Sequence, residues 1–200
     1  LLLSQGRIDD ARVEIRLAQQ LDPLSVAINN NLGYTLYLRR DYNQAEKFCQ
    51  KAHETEPGAV QPLINLGMIY EQKGMIGEAF SVLNKARALA GTGAAQTDLL
   101  EALGHVYAVA GKKEEARRVI QELGQLARQE DDAQFSKALV HSGLGEMNQA
   151  FQLLESESRT WVSAPPALIL DPRLDALRSD PRYTELVKSP DSSSEESEQQ

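Results

Sequence analysis

The stretch N-N-L-G-Y-T-L-Y-L-R-R-D-Y-N-Q-A-E-K-F-C-Q-K-A-H-E-T-E-P, Asn30 to Pro57, decides the fold. Leu32, Gly33 and Leu36 recur at helical spacing, which predicts a first helix. Arg40-Asp41 marks a turn. Ala45, Phe48, Cys49 and Ala52 then recur at three and four residues and predict a second helix. Pro57 ends the unit, because proline cannot continue a helix beyond its first turn.

The same unit returns along the chain. Ala11, Ala45, Ala79, Ala116 and Ala150 are separated by steps of 34, 34, 37 and 34 residues. Gly33, Gly67 and Gly104 follow at 34 and 37, and Pro23 and Pro57 at 34. The single long step falls in A-G-T-G-A-A-Q-T-D, Ala90 to Asp98, read as a Gly-rich loop carrying three extra residues. The second full unit repeats L-I-N-L-G-M-I-Y, with Gly74 and Gly77 at the turn and then Ala79, Leu83 and Ala86. The third has L-E-A-L-G-H-V-Y, Gly111, Ala116, Ile120 and Leu123. Glycine on the first helix and alanine on the second let the two approach closely, where a larger side chain would hold them apart. A lone pair cannot bury its apolar face, so neighbours must stack.

These residues resemble the tetratricopeptide repeat. The pattern is carried most fully by Leu63, Leu66, Gly67, Tyr70, Ala79, Leu83 and Ala86, and the likeness covers roughly residues 1–158. It implies an all-α, right-handed superhelical solenoid of helix-turn-helix repeats with a short C-terminal helical cap. The expected divisions are a truncated first repeat at 1–23, repeats at 24–57, 58–91 and 92–128, and a degenerate one at 129–158. In the last, Ala138 stands for the glycine and His141 for the tyrosine. A cap at 159–188 and a disordered acidic Ser-rich tail at 189–200 complete the chain. The half repeat at the start points to a segment of a longer protein.

Composition narrows the function classes. The chain has 200 residues and a formal net charge of −8, and half of that excess (Asp191, Glu195, Glu196 and Glu198) lies in the last ten residues. An acidic chain lacks the basic footprint that nucleic acid requires. No apolar run is long enough for a membrane span, and Leu1-Leu2-Leu3 is too short for a signal peptide. One cysteine, Cys49, permits neither an internal disulfide nor a cysteine zinc site. It reads as a small buried hydrophobe. The expected location is the cytoplasm, or the periplasm if a membrane segment precedes the chain.

Chemistry-bearing residues are few. D-P-R-L-D-A-L-R-S-D-P-R-Y, Asp171 to Tyr183, repeats Asp-Pro-Arg. Aspartate before proline is a helix start, with Asp171 and Asp180 as N-caps and Pro172 and Pro181 as first helical residues. The competing reading, an acid/base or metal site from Asp171, Asp175 and Asp180, has no histidine or glycine-rich loop beside it. Arg173, Arg178 and Arg182 read as members of weak surface ion pairs. His53, His105 and His141 lack ligand spacing. With no G-x-S-x-G, P-loop or kinase signature, no enzyme, metal or cofactor is expected.

The resemblance also implies where a partner would sit, since the first helix of each unit lines the concave side. The inward set is Asn30, Asn31, Tyr34 and Tyr37, then Ile64, Asn65, Met68 and Gln72, then Glu101, Ala102 and His105. Asn31 and Asn65 are one repeat apart and form an expected ladder. It either clasps the backbone of an extended peptide or links the repeats to each other. A clamp for a terminal carboxylate is disfavoured. Asn65 fits its middle position, but Asn30, Tyr34, Asp98 and Ala102 stand where its lysine, asparagine, lysine and arginine belong. The closing W-V…D-P-R-L-D-A-L-R-S-D-P-R-Y is similar to the end of repeat regions attached to bacterial winged-helix regulators, serine/threonine kinases and cyclase-like proteins. Leu174 and Tyr183 replace the usual phenylalanines there, and Ala176 a proline. These likenesses imply a non-enzymatic scaffold for a protein or peptide partner, the sensing or docking module of a larger bacterial regulator. The alternative is a spacer or self-association module that forms homo-oligomers through its repeat ends.

Overall fold

The computed structural model describes residues 8–91, 94–126, 133–158 and 165–187. The expected tail at 189–200 and Leu1-Leu2-Leu3 lie outside the described residues. All regular structure described is helical. After α1 (Ile8–Leu21) come four antiparallel pairs: α2 (Val26–Leu38) with α3 (Tyr42–Thr55), α4 (Val60–Gln72) with α5 (Ile76–Leu89), α6 (Ala94–Val109) with α7 (Lys113–Leu126), and α8 (Gln134–Gly143) with α9 (Met147–Ser158). Packing is densest within each pair, and the first helices also touch from pair to pair, α2 on α4, α4 on α6 and α6 on α8. That connectivity makes a solenoid with the first helices inside. It explains why α4 is buried from Pro62 to Glu71, whereas α3 buries only the stripe of Ala45, Cys49 and Ala52.

The turns inside the pairs share one mechanism. In each, two backbone N–H groups reach back to the last carbonyls of the first helix, Arg40 to Tyr37 and Asp41 to Leu36 in the first, Gly74 to Glu71 and Met75 to Tyr70 in the second. This closure needs a residue with positive φ just past the helix end. Gly74, Gly111 and Gly145 supply it at φ 73° each, and Arg40 occupies the matching place at φ 62°. The arginine has a use there, because its Nη2 meets Asp175 Oδ1 at 2.6 Å, from a helix of the cap.

Two readings of these segments need correction. Ala94 to Asp98 belongs to the first turns of α6 rather than to a loop, as alanine and glutamine favour helix. Gly77 lies inside α5, and Gly74 alone makes the turn. Cys49 is fully buried, and burial pushes its thiol up to about 12, so at neutral pH it is an unionised, unreactive packing group.

The cap consists of α10 (Pro166–Leu170), a 3₁₀ turn at Pro172–Leu174, α11 (Asp175–Arg178) and α12 (Pro181–Val187). Leu168, Leu174, Leu177, Tyr183 and Leu186 form one cluster with Ala138, Leu139, Ala150, Phe151 and Leu154 of the last pair. Each leucine taken fully from water there contributes about 1.5–3 kcal/mol. Both aspartates cap as expected, Asp171 accepting from Arg173 N and Asp180 from Arg182 N, each at 3.0 Å.

Candidate functional site

The concave side is divided by the cap. The first Asp-Pro-Arg sequence leaves the end of the solenoid and enters the groove. Asp171 is 1% exposed and Arg173 6%. Asp171 Oδ1 accepts from the Arg173 backbone N and Nε and from the Tyr37 hydroxyl, all at 3.0 Å, while Oδ2 accepts from Arg173 Nη2 at 2.6 Å. Nη2 also reaches Glu101 Oε1 at 2.7 Å, and Glu101 Oε2 accepts from Ser136 at 2.8 Å. One arginine therefore ties the cap to α2, α6 and α8. Burial would raise the Asp171 pKa, but the guanidinium and its hydrogen bonds hold the carboxyl below its ordinary range. Burial, reinforced by the negative Asp171, pushes the Tyr37 hydroxyl well up, so it remains a donor.

This corrects the reading of Arg173 as part of a surface ion pair. The second motif does match that reading, since Arg182 and Asp180 pair at 2.7 Å with both side chains partly exposed. Arg178 pairs with Asp175 and also donates to the carbonyls of Ile169 and Asp171. Three aspartates that resembled a reactive cluster are thus separately engaged by arginines. Among the described residues no group of three or more His, Cys, Asp or Glu is placed to hold a metal.

On one side of Arg173 lies a cavity of about 350 Å³. From α2 it is lined by Asn30, Asn31 and Tyr34, from α4 by Gln61, Ile64, Asn65 and Met68, and from α6 by Asp98 and Glu101. On the other side is a cavity of about 360 Å³, where Gln72 and His105 face Ser142, Pro172 and Ala176. There His105 Nδ1 meets Glu71 Oε1 at 2.9 Å, both residues being buried. Seven of the eleven inward residues expected from the sequence therefore share one cavity, Gln72 and His105 share the other, and Ala102 is buried in the core. Tyr37 belongs to neither. It is wholly buried beneath Asp171, its ring stacked on Tyr34 with centroids 6.0 Å apart.

The asparagine ladder is also displaced by one position. Asn65 Nδ2 donates to Asn30 Oδ1 at 2.9 Å, so the linked pair is Asn30–Asn65, while Asn31 is exposed. The residues that touch are thus 35 apart, one more than the repeat step between Gly33 and Gly67. Asn30 and Asn65 are 9% and 2% exposed. This bond uses one donor and one acceptor and leaves Asn30 Nδ2 and Asn65 Oδ1 without partners among the described residues, on the cavity wall.

Gln61 and Asp98 were missed as a row, although the signal was present. They stand three residues before Ile64 and Glu101, hence one turn earlier on the same helix faces. The Asp98 carboxyl is raised above its ordinary value, first by burial and then by Glu101, against a hydrogen bond from Gln61. The burial of the Asp171–Arg173 pair in the groove could not be placed from spacing, because Tyr37 and Glu101, which hold it there, are distant in sequence.

Residues 29–55 and 60–90 each match a tetratricopeptide repeat family model. The chain carries these repeats, and its fold is their helix-pair solenoid. Among solved structures it is similar to YrrB, described as a TPR protein with an unusual peptide-binding site, at 18% identity over 86% of this chain and 88% of that one, with a TM-score of 0.50. It is also similar to MamA, at 22% identity over 79% of this chain and 93% of that one, with a TM-score of 0.54. At these identities the likeness is one of fold. No curated protein matches the chain. No helix among the described residues is long and apolar enough to cross a membrane.

Proposed function

We propose that the chain is a non-enzymatic scaffold that binds an extended peptide segment of a protein partner in the cavity between α2, α4 and α6. The observation that carries this reading is the Asn30–Asn65 pair. Two buried amides hold each other in place and leave one donor and one acceptor facing open space, which is what a peptide group needs. Tyr34, Ile64 and Met68 supply an apolar wall beside them. YrrB, which shares the fold, has a peptide-binding site. The similarity of the closing segment to those of bacterial regulators supports the role of docking module in a larger regulatory protein.

The test uses the full chain, immobilised and panned against a phage-displayed library of random dodecamers. Asn31 is exposed and Gln61 half-buried, so the double replacement Asn31→Ala with Gln61→Ala leaves the core intact. Selected peptides are expected to bind this variant about tenfold or more weakly, a loss of ~1.4 kcal/mol. Peptides that bind it as well as the unaltered chain would remove the groove from the account.

A further inference from the structure

The cavity is not neutral. Its ionisable lining is Asp98, Glu101 and Arg173. The Arg173 charge is already engaged by Asp171, whose two carboxylate oxygens accept from Nε and Nη2, while Nη1 is buried without a hydrogen-bond partner. Glu101 shares the same Nη2, so two carboxylates compete for one guanidinium. Asp98, one turn from Glu101 on the same face of α6, has no cation at ion-pair distance among the described residues, and its hydrogen bond comes from neutral Gln61. The wall therefore carries uncompensated negative charge beside an apolar strip of Tyr34, Ile64 and Met68. A second observation points the same way. Asn65 is 2% exposed, and its Oδ1 accepts nothing among the described residues although it stands on the cavity wall. It awaits a donor.

We infer that this cavity selects a lysine or arginine side chain of the bound peptide, with the aliphatic stem along Tyr34, Ile64 and Met68 and the cationic head at Asp98 and Glu101. The inference rests on the groove reading above and names the chemistry it recognises. Long basic side chains combine an apolar stem with a charged head, which is the polarity of this wall. A carboxylate ligand would face Asp98 and Glu101, while the Arg173 charge is paired to Asp171 and Glu101 and its one unpaired nitrogen, Nη1, is buried; like charges so placed are rejected.

The dodecamers recovered above serve as probes. Those that need Asn31 and Gln61 are expected to share a lysine or arginine. Exchange of that lysine for norleucine, which keeps the stem and removes the charge, is expected to weaken binding about tenfold in fluorescence anisotropy. Asp98→Asn in the protein should weaken the lysine peptide by a similar factor and leave the norleucine peptide unchanged. Asp98→Lys should shift selection toward Asp or Glu at that position. Groove-dependent peptides without a shared basic residue, or indifference of the lysine peptide to Asp98→Asn, would overturn the inference while the groove reading stands. Peptides indifferent to Asn31 and Gln61 would overturn both.

Discussion

Asp171→Ala is expected to cost about 3–5 kcal/mol of folding stability, the usual consequence of removing one partner from a buried ion pair. Loss of an N-cap alone costs about 1 kcal/mol. The difference comes from what the substitution strands. Arg173 would keep only its contact with Glu101, and the Tyr37 hydroxyl, wholly buried, would lose its acceptor. Asp180→Ala is the internal comparison. The same Asp-Pro-Arg sequence surrounds it, but its arginine pair lies at the surface, so its loss should be much smaller. Urea unfolding of the two variants side by side reads the contrast. Equal losses would show that the first motif is only a cap.

The same pair sets a pH dependence with a defined sign. The Asp171 carboxyl lies below its ordinary 3.8 in the folded chain. Its contribution is therefore present in full above the unfolded value and fades as pH falls through the lower folded value. The stability gap between the unaltered chain and Asp171→Asn should be constant near neutrality and close only in acid.

The second large effect lies at the helix crossings. A Cβ on Gly67 would stand 2.5 Å from both Cγ and Cδ2 of Leu83 and 2.9 Å from Cδ1, and Leu83 is fully buried. Gly67→Ala is expected to cost about 1–3 kcal/mol through overpacking. Leu83→Ala should cost about 2–5 kcal/mol through the cavity it leaves. Together they should cost clearly less than the sum, because the new methyl occupies part of the vacated space and the clash disappears. A double-mutant cycle by chemical denaturation measures this, and strict additivity would contradict the packing described.

The periodic part of this architecture was legible because repeats impose local rules. Gly74, Gly111 and Gly145 sit where a positive φ is required, and the pattern announces each from the sequence. The glycines of the first helices were legible as sites of close approach, but what presses on each was not. A Cβ would meet Cys49 Sγ at Gly33, Leu83 at Gly67, and Val140 with Val119 at Gly104. The inward faces of the first helices were legible, but the asparagine link between them only to within one position, with Asn30 in place of Asn31. The fate of the Asp-Pro-Arg pair was not legible at all. Both copies carry the same local signal, and the contact that separates them joins Tyr37 to Asp171 across 134 residues. Spacing reports what a residue does to its own helix, and Arg173 acts on three other helices.

The central claim is that the cavity between α2, α4 and α6, walled by Arg173, is where a partner peptide lies. Amide hydrogen exchange of the full chain, with and without a selected dodecamer, tests it most directly. The account predicts new protection concentrated in α2, α4, α6 and the Pro172–Leu174 turn, with α3, α5 and α7 unchanged. Protection confined to the outer helices, or to the exposed apolar face of α1 at Val13, Leu17 and Leu21, would contradict it.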